Sequence, residues 1–541
     1  MEKKNGSSRL FQCNLLRIVI VLGLVVSMCV GCGDDDDDNG YSLTIAKEGQ
    51  GSVSMEPSGG DYGENTEVTL TATGDDSVWI FSGWGGDLAS SENPATITMS
   101  SDRSVTATFT PRSVVMINLG DSLTNGTQSG MSNVHEDTQI HGYSQILAEQ
   151  IGQAAELTWA NPLLKMDMET RTKTRKDESF IPYNLGVDGA TIKTLMEEKT
   201  GSGNVLLDEL MKPLPTETGA EITQLEAAEY VASLHPDKLK IFAMLIGNND
   251  VLGTVIRGTG TRLTQEEIST FLADTEAGHD LESVKDRLKQ TADRLTAIPD
   301  SHLFIANLPC MTCTAFTFDK DDIERLASFP ADVTALESGQ LMGFGPVIGQ
   351  PCNVSTSTAR ALDSDGVTLN AVISATVKIS DGNSLNSQEA ALINERVDAI
   401  NAYIKSLADD NPNVTLVDIH GYLNSVVNGE VSIGDDVLTR TFGGGFFSLD
   451  GVHLSHTGYA GAANEFIKEL NDAGLGLDIP LTDLEAVWAG DPYHDHDGDG
   501  FVPGPADLRI IDPMLVPFTD PDDNDVGTLP GYVTGTGLGC E

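Results

Sequence analysis

Four polar residues and a glycine, scattered over more than three hundred positions, are of the types that acyl transfer needs. Ser122 lies in Gly120-Asp121-Ser122-Leu123, Gly189 in Val187-Asp188-Gly189-Ala190-Thr191, and Asn249 in Gly247-Asn248-Asn249-Asp250. Asp450 and His453 share Asp450-Gly451-Val452-His453. A serine hydroxyl is a weak nucleophile and needs a base within hydrogen-bond reach. His453 suits that task, and can later return the proton to a leaving alkoxide. Asp450, three residues earlier, can fix the tautomer of the ring. A tetrahedral intermediate carries an oxyanion, for which the backbone N–H groups of Ser122 and Gly189 and the side-chain amide of Asn249 are suitable donors.

These groups need a scaffold that collects them. Val114 to Leu119 is a continuous apolar run bounded by Pro111 and Gly120, the pattern of a strand buried on both faces. Further strands are expected over Leu239 to Ile246, His302 to Leu308 and Val414 to Ile419, with a fifth at about Phe180 to Leu185. Helical stripes separate or follow them: Tyr143/Ile146/Leu147/Ile151, Leu281/Val284/Leu288/Leu295, Ile393/Val397/Ile400/Ile404/Leu407 and Tyr459/Ala463/Phe466/Leu470. Strands alternating with helices predict an α/β domain whose parallel sheet is covered on both faces. All the polar blocks then reach the carboxyl edge of the sheet, where such folds place their chemistry.

In this order the blocks resemble the GDSL or SGNH hydrolases, a family of lipases and esterases. The resemblance covers about 113–475. It implies a three-layer α/β/α, flavodoxin-like SGNH hydrolase domain, the catalytic set Ser122, Asp450 and His453, an oxyanion hole of Ser122, Gly189 and Asn249, and no cofactor or metal for catalysis. No G-x-S-x-G elbow occurs, so the α/β-hydrolase fold is not supported. The expected activity is cleavage of carboxylic esters through an acyl-enzyme on Ser122. The same family also serves acetyl groups on carbohydrate or peptidoglycan, and a non-catalytic glycan-binding surface adhesin is the rival reading. Two long stretches, between Ser122 and Gly189 and from Pro309 to Ala390, are placed to shape the substrate pocket. Phe442-Gly443-Gly444-Gly445-Phe446-Phe447 either lines an acyl pocket or packs beneath the triad.

The rest of the 541 residues reads as export and display. Lys3, Lys4, Arg9 and Arg17 precede an apolar run from Ile18 to Gly31, a secretory signal over 1–31. Its end, Cys29-Val30-Gly31-Cys32, resembles the lipobox of bacterial lipoproteins, with Cys29 where leucine is usual. That resemblance implies a lipid on Cys32 and attachment to a bacterial membrane, at the outer membrane or cell surface. Residues 32–40, with the run Asp34 to Asp38, form an extended acidic tether. Residues 41–110 alternate apolar and polar positions between glycines, as a small all-β module of antiparallel strands. Phe81-Ser82-Gly83-Trp84-Gly85-Gly86-Asp87 with Ser104 to Phe109 resembles the internalin-type B repeats of bacterial surface proteins, which implies a spacer or adhesive role. Trp84 is read as core or as a sugar-stacking face.

The charge is strongly acidic: 32 Lys and Arg against 81 Asp and Glu give a formal net charge of −49. Such a chain repels nucleic acid, which is not an expected partner. Export favours disulfides among Cys310, Cys313, Cys352 and Cys540 over a metal or redox site, with connectivity open. The acidic tail 476–541 contains Asp495-His496-Asp497-Gly498-Asp499-Gly500, which begins like a calcium loop. Its twelfth position is Ala506, with the acid one residue later at Asp507. Two readings stay open: structural calcium held by Asp495, Asp497, Asp499 and Asp507, or an acidic tail without metal. His494 and His496 add two imidazoles to the same stretch.

Overall fold

In a computed structural model, the described residues are 40–494 apart from 75–78, 112, 129–135, 168–171, 215–220, 256–263, 315–316, 319–340, 344–383, 386, 442–443 and 449. The signal, Cys32, the tether up to Asn39, Cys352, Cys540 and the proposed calcium ligands Asp495, Asp497, Asp499 and Asp507 lie outside them.

The N-terminal module builds two small sheets. One has the order Asp61–Tyr62, Tyr41–Glu48, Arg103–Pro111, Trp79–Gly86; the other has Gly51–Glu56, Glu67–Gly74, Ala95–Thr98. Alternation buries Val68, Leu70 and Ala72 from one strand and Val105, Ala107 and Phe109 from another in a shared core. Trp84 belongs to that core, its indole N–H donating to the Glu92 carbonyl at 2.9 Å. The expectation of purely antiparallel pairing needs one correction. Tyr41–Glu48 and Arg103–Pro111, the first and last strands, pair in parallel, with Leu43 opposite Arg103 and Glu48 opposite Thr108. Parallel neighbours need a long crossover, and all the chain between them supplies it.

The larger domain is a five-stranded parallel sheet in the order Val414–Val417, Ser301–Ala306, Leu239–Leu245, Ser113–Gly120, Glu156–Thr158. By position in the chain this is the 2-1-3-4-5 order of flavodoxin-like folds, read from the far edge. The apolar run of the first strand feeds both faces in alternation. Val115, Ile117 and Leu119 join one apolar cluster, and Val114 and Met116 join the other. The first cluster lies under the helices Gln224–Ser233, Leu281–Thr296 and Ser387–Asp410. The second lies under Tyr143–Ala154, Ile419–Val427 and His456–Asp472. The result is three layers, α/β/α.

The fifth strand is not where the sequence pattern put it. Glu156–Thr158 occupies the sheet edge, pairing with Ser113 to Val115. The stretch near Phe180 to Leu185 meets only the other half of the same strand. There the Asn118 amide donates to the Tyr183 carbonyl, and the Leu185 amide to the Asn118 carbonyl, both at 2.9 Å. Pro182 has no N–H to extend this pairing backwards, and the earlier positions of the strand are already taken. Two segments therefore share one edge, and the second carries the chain straight to Gly189.

Candidate active site

The turn that carries Ser122 is shaped by its neighbours. Gly120 ends the first strand with φ +151°, and a Cβ there would run into the Leu245 carbonyl oxygen and the Thr124 hydroxyl. Only glycine fits. Asp121 caps the one-turn helix Ser122–Asn125, its carboxylate accepting from the Leu123 amide at 3.0 Å. Gln224 clasps the turn like a strand partner. Its side chain accepts from the Gly120 amide and donates to the Gly120 carbonyl, each at 3.0 Å. Ser122 is thus held at the start of a helix, immediately beyond the sheet.

His453 reaches Ser122 from the loop before the helix His456–Asp472. Its Nε2 lies 2.9 Å from the Ser122 Oγ, and its Nδ1 lies 2.6 Å from the Asp450 Oδ2. The other carboxylate oxygen of Asp450 accepts from the Val452 and His453 amides at 3.0 and 2.9 Å and from the Ser448 hydroxyl at 3.3 Å. The Asp-x-x-His spacing therefore closes a small ring in which backbone and side chain point the same carboxylate at the imidazole. Both side chains are buried. Burial opposes charge on each. The mutual attraction outweighs it, raising the His453 pKa and lowering that of Asp450. With Nδ1–H donated to the carboxylate, Nε2 is left to accept from the serine hydroxyl.

The three expected oxyanion donors are drawn together. The Asn249 side-chain amide donates to the Ala190 carbonyl at 2.9 Å, next to Gly189. The Val187 amide donates to the Gly120 carbonyl at 3.1 Å, and the Asp188 carboxylate accepts from the Asn125 side-chain Nδ2 at 3.0 Å. These bonds lock the Gly189 turn to the turn of Ser122. Gly189 has φ +77°, and a Cβ built on it would meet no atom of the described residues within 4 Å. Its surroundings are open, so a substrate carbonyl can approach its backbone.

Beside Ser122, Asn249 and His453 lies a cleft of about 660 Å³ including its open mouth. Phe446 and Phe447 line it, and both are also buried in the core cluster beneath the triad. The two roles foreseen for these phenylalanines are thus compatible; Phe442 and Gly443 lie outside the described residues. The cleft sits at the sheet's switch point, where the crossover from Ser113–Gly120 leads one way and that from Leu239–Leu245 the other.

Several supporting residues are absent from the sequence reading. Gln224 is one. Asn248 is another: its amide donates to Asp121 at 2.8 Å. Asp250 is a third, accepting from the Ile192 amide at 3.0 Å. Burial pushes both Asp121 and Asp250 up to about 7. The adjacency of Asn248 and Asp250 to Asn249 was a signal in plain view; nothing in the sequence marks Gln224. Cys310 and Cys313 form a disulfide. Among the described residues no group of three or more His, Cys, Asp and Glu is arranged to hold a metal ion.

Comparison with known proteins finds two family models that match the chain. The model of the divergent InlB B-repeat domain matches residues 41–113. No curated protein matches the chain. Among solved structures, the chain is similar to an extracellular lipase from Streptomyces rimosus, at 13% identity and a TM-score of 0.32, covering 67% of this chain and 99% of that one. It is also similar to phospholipase A1 from Streptomyces albidoflavus, at 14% identity and a TM-score of 0.28, covering 66% and 99%. The model of the GDSL-like lipases and acylhydrolases matches residues 116–466, well over half of the chain, and the chain belongs to that family.

Proposed function

We propose that this protein hydrolyses carboxylic esters through an acyl-enzyme on Ser122. The observation that carries the reading is the unbroken relay from the Ser122 Oγ to His453 at 2.9 Å and on to Asp450 at 2.6 Å. Ser122 Oγ attacks the ester carbonyl carbon as its proton passes to His453 Nε2. The resulting oxyanion takes hydrogen bonds from Ser122 N, Gly189 N and Asn249 Nδ2. Collapse breaks the bond to the alcohol oxygen, which leaves with the proton from His453. Water then attacks the acyl-serine by the same route, releasing the carboxylic acid and restoring Ser122. Asp450 stays ionised throughout and steadies the imidazolium. Each step is carried by the protein's own side chains and backbone N–H groups together with water.

Export and anchoring belong to the same proposal. The signal over 1–31 and a lipid on Cys32 would attach the enzyme to a bacterial membrane, with the β module holding it off the surface. Cys32→Ser should then move the protein from the membrane to the soluble fraction, and retention would remove the anchor from the proposal.

The test of the chemistry is turnover of chromogenic esters by wild type and Ser122→Ala, with a fluorophosphonate as a serine label. Wild type should turn over and label. The variant should lose about 10⁴-fold or more in kcat and fail to label. Equal turnover in a folded Ser122→Ala variant overturns the proposal.

A further inference from the structure

We propose that the disulfide-closed loop Cys310–Cys313 is the fixed wall of an acyl pocket, and that this wall selects esters with alkyl acyl chains over acetyl esters. The inference rests on the esterase reading above and names the substrate class of that site.

The loop follows the strand Ser301–Ala306 at the same edge of the sheet as Ser122. Pro309, Met311 and Thr314 face the cleft from this side. Phe446 and Phe447 line it as well, beside Leu454. Among the described residues, apart from the catalytic ones, the polar liners are Asn248, Thr314 and Tyr422; most of that surface is hydrocarbon. A wall of this composition has little to offer the hydroxyls of a sugar or glycerol. It suits an alkyl chain, whose burial is favourable in proportion to its area. The alcohol side of the ester is thereby directed to the exposed face, near Gly189.

The wall is held far more firmly than a surface loop requires. Asn401 pairs with both backbone groups of Leu308: the Leu308 amide donates to it at 2.7 Å, and its own amide donates to the Leu308 carbonyl at 2.9 Å. One heptad earlier on the same helix, Asn394 accepts from the Thr312 hydroxyl at 2.9 Å. Between these tethers the disulfide closes the turn, with the Cys313 amide donating to the Cys310 carbonyl at 3.2 Å. Cys310 packs in the apolar cluster with Phe446 and Phe447, and Met311 in the cluster on the opposite face of the sheet. The loop is pinned from both layers, and Met311 is presented to the cleft from a rigid frame. A pre-formed wall spares the acyl chain the entropy of ordering it.

The experiment measures kcat/KM over 4-nitrophenyl esters from acetyl to dodecanoyl for three proteins: wild type, Cys310→Ala/Cys313→Ala and Met311→Ala. Melting temperature is recorded for each. Each methylene buried in the pocket is worth about fourfold, so wild type should prefer octanoyl to acetyl by well over tenfold. Releasing the staple should lower the octanoyl-to-acetyl ratio by about tenfold, the equivalent of ordering one backbone residue on binding. Met311→Ala should raise the dodecanoyl-to-octanoyl ratio by lengthening the pocket. If the double variant does not fold, Met311→Ala decides alone. Serine-dependent turnover with an acetyl preference in wild type, or variant profiles that superimpose on wild type, overturns the wall. Absence of Ser122-dependent turnover on every ester is a different result, and defeats the esterase reading itself.

Discussion

Replacing Asp450 by asparagine tests the relay more sharply than removing the serine, because shape is kept and only proton placement changes. In the native site one carboxylate oxygen accepts from the Val452 and His453 amides at 3.0 and 2.9 Å, and the other receives His453 Nδ1 at 2.6 Å. An asparagine must keep its carbonyl oxygen toward the two backbone N–H groups, since an NH₂ there would oppose two donors. Its NH₂ is then forced against His453 Nδ1, which must accept. The ring responds by carrying its proton on Nε2, so it donates to Ser122 Oγ and can no longer receive the serine proton. Loss of the correct tautomer in a serine–histidine–aspartate site costs about 10⁴-fold in kcat, or about 5 kcal/mol of barrier at 1.36 kcal/mol per decade. The pH profile moves too. In wild type the Asp450 carboxylate lifts the His453 pKa above its ordinary 6.5 against the pull of burial. The base works only when neutral, so the acid limb of kcat/KM should have its midpoint above 6.5. In Asp450→Asn the main upward pull is gone, burial is opposed only by the carboxylates of Asp188 and Asp121, and the limb should shift to lower pH. The assay is kcat/KM of a soluble chromogenic ester from pH 5 to 9, on both proteins. A loss smaller than tenfold, with the acid limb unmoved, would refute the argument from geometry.

Three further outcomes follow from the same contacts. Asn249→Ala removes one oxyanion donor and should lower kcat about 100- to 1000-fold with little change in KM, read by steady-state kinetics. Asp250→Asn should stabilise the protein at alkaline pH. Burial lifts its folded pKa from 3.8 to about 7, so the folded state holds a proton that the unfolded chain releases. That stability is complete below pH 3.8 and is lost as pH rises through about 7. The melting temperature of the variant should therefore exceed that of wild type at pH 8.5 and converge with it at low pH. Equal pH dependence would contradict the sign. Tyr422→Phe deletes a buried hydroxyl that has no hydrogen-bond partner among the described residues and sits where a Cβ on Gly461 would fall. It should leave thermal stability unchanged or raise it, and should offset the overpacking of Gly461→Ala in a double variant.

What the sequence disclosed and what it hid divide by the range of the interaction. The long apolar strand Ser113–Gly120 and the helix stripes were legible because burial repeats at a fixed period over many residues. Asp450 and His453 were legible because their coupling closes within one turn of chain. Glu156–Thr158 was not: three residues, none fully buried, offer no period to detect. The parallel pairing of the module's first and last strands was equally invisible, since each alternates as an antiparallel strand does. The clasp of Gln224 on Gly120 spans 104 residues and uses a side chain in place of a strand, which leaves no pattern at all. The Asn248–Asp121 bond spans 127 and depends on the same topology.

That topology also explains why so few residues announce the site. Where the strand order reverses between Ser113–Gly120 and Leu239–Leu245, the two crossovers leave on opposite faces, and a crevice at the carboxyl ends is unavoidable. The residues just beyond those two ends are Asp121-Ser122 and Asn248-Asn249, one beside the other across the crevice. The scaffold needs only that they be polar and that Gly120 permit the turn. The proposed chemistry then requires Gly189 from the turn locked beside Ser122, and Asp450 and His453 from the loop that enters the helix His456–Asp472. The short motifs carry function because the sheet has already decided where they meet. On the proposal above, the acyl chain is selected instead by the loop Cys310–Cys313, which follows the strand Ser301–Ala306 at that same edge.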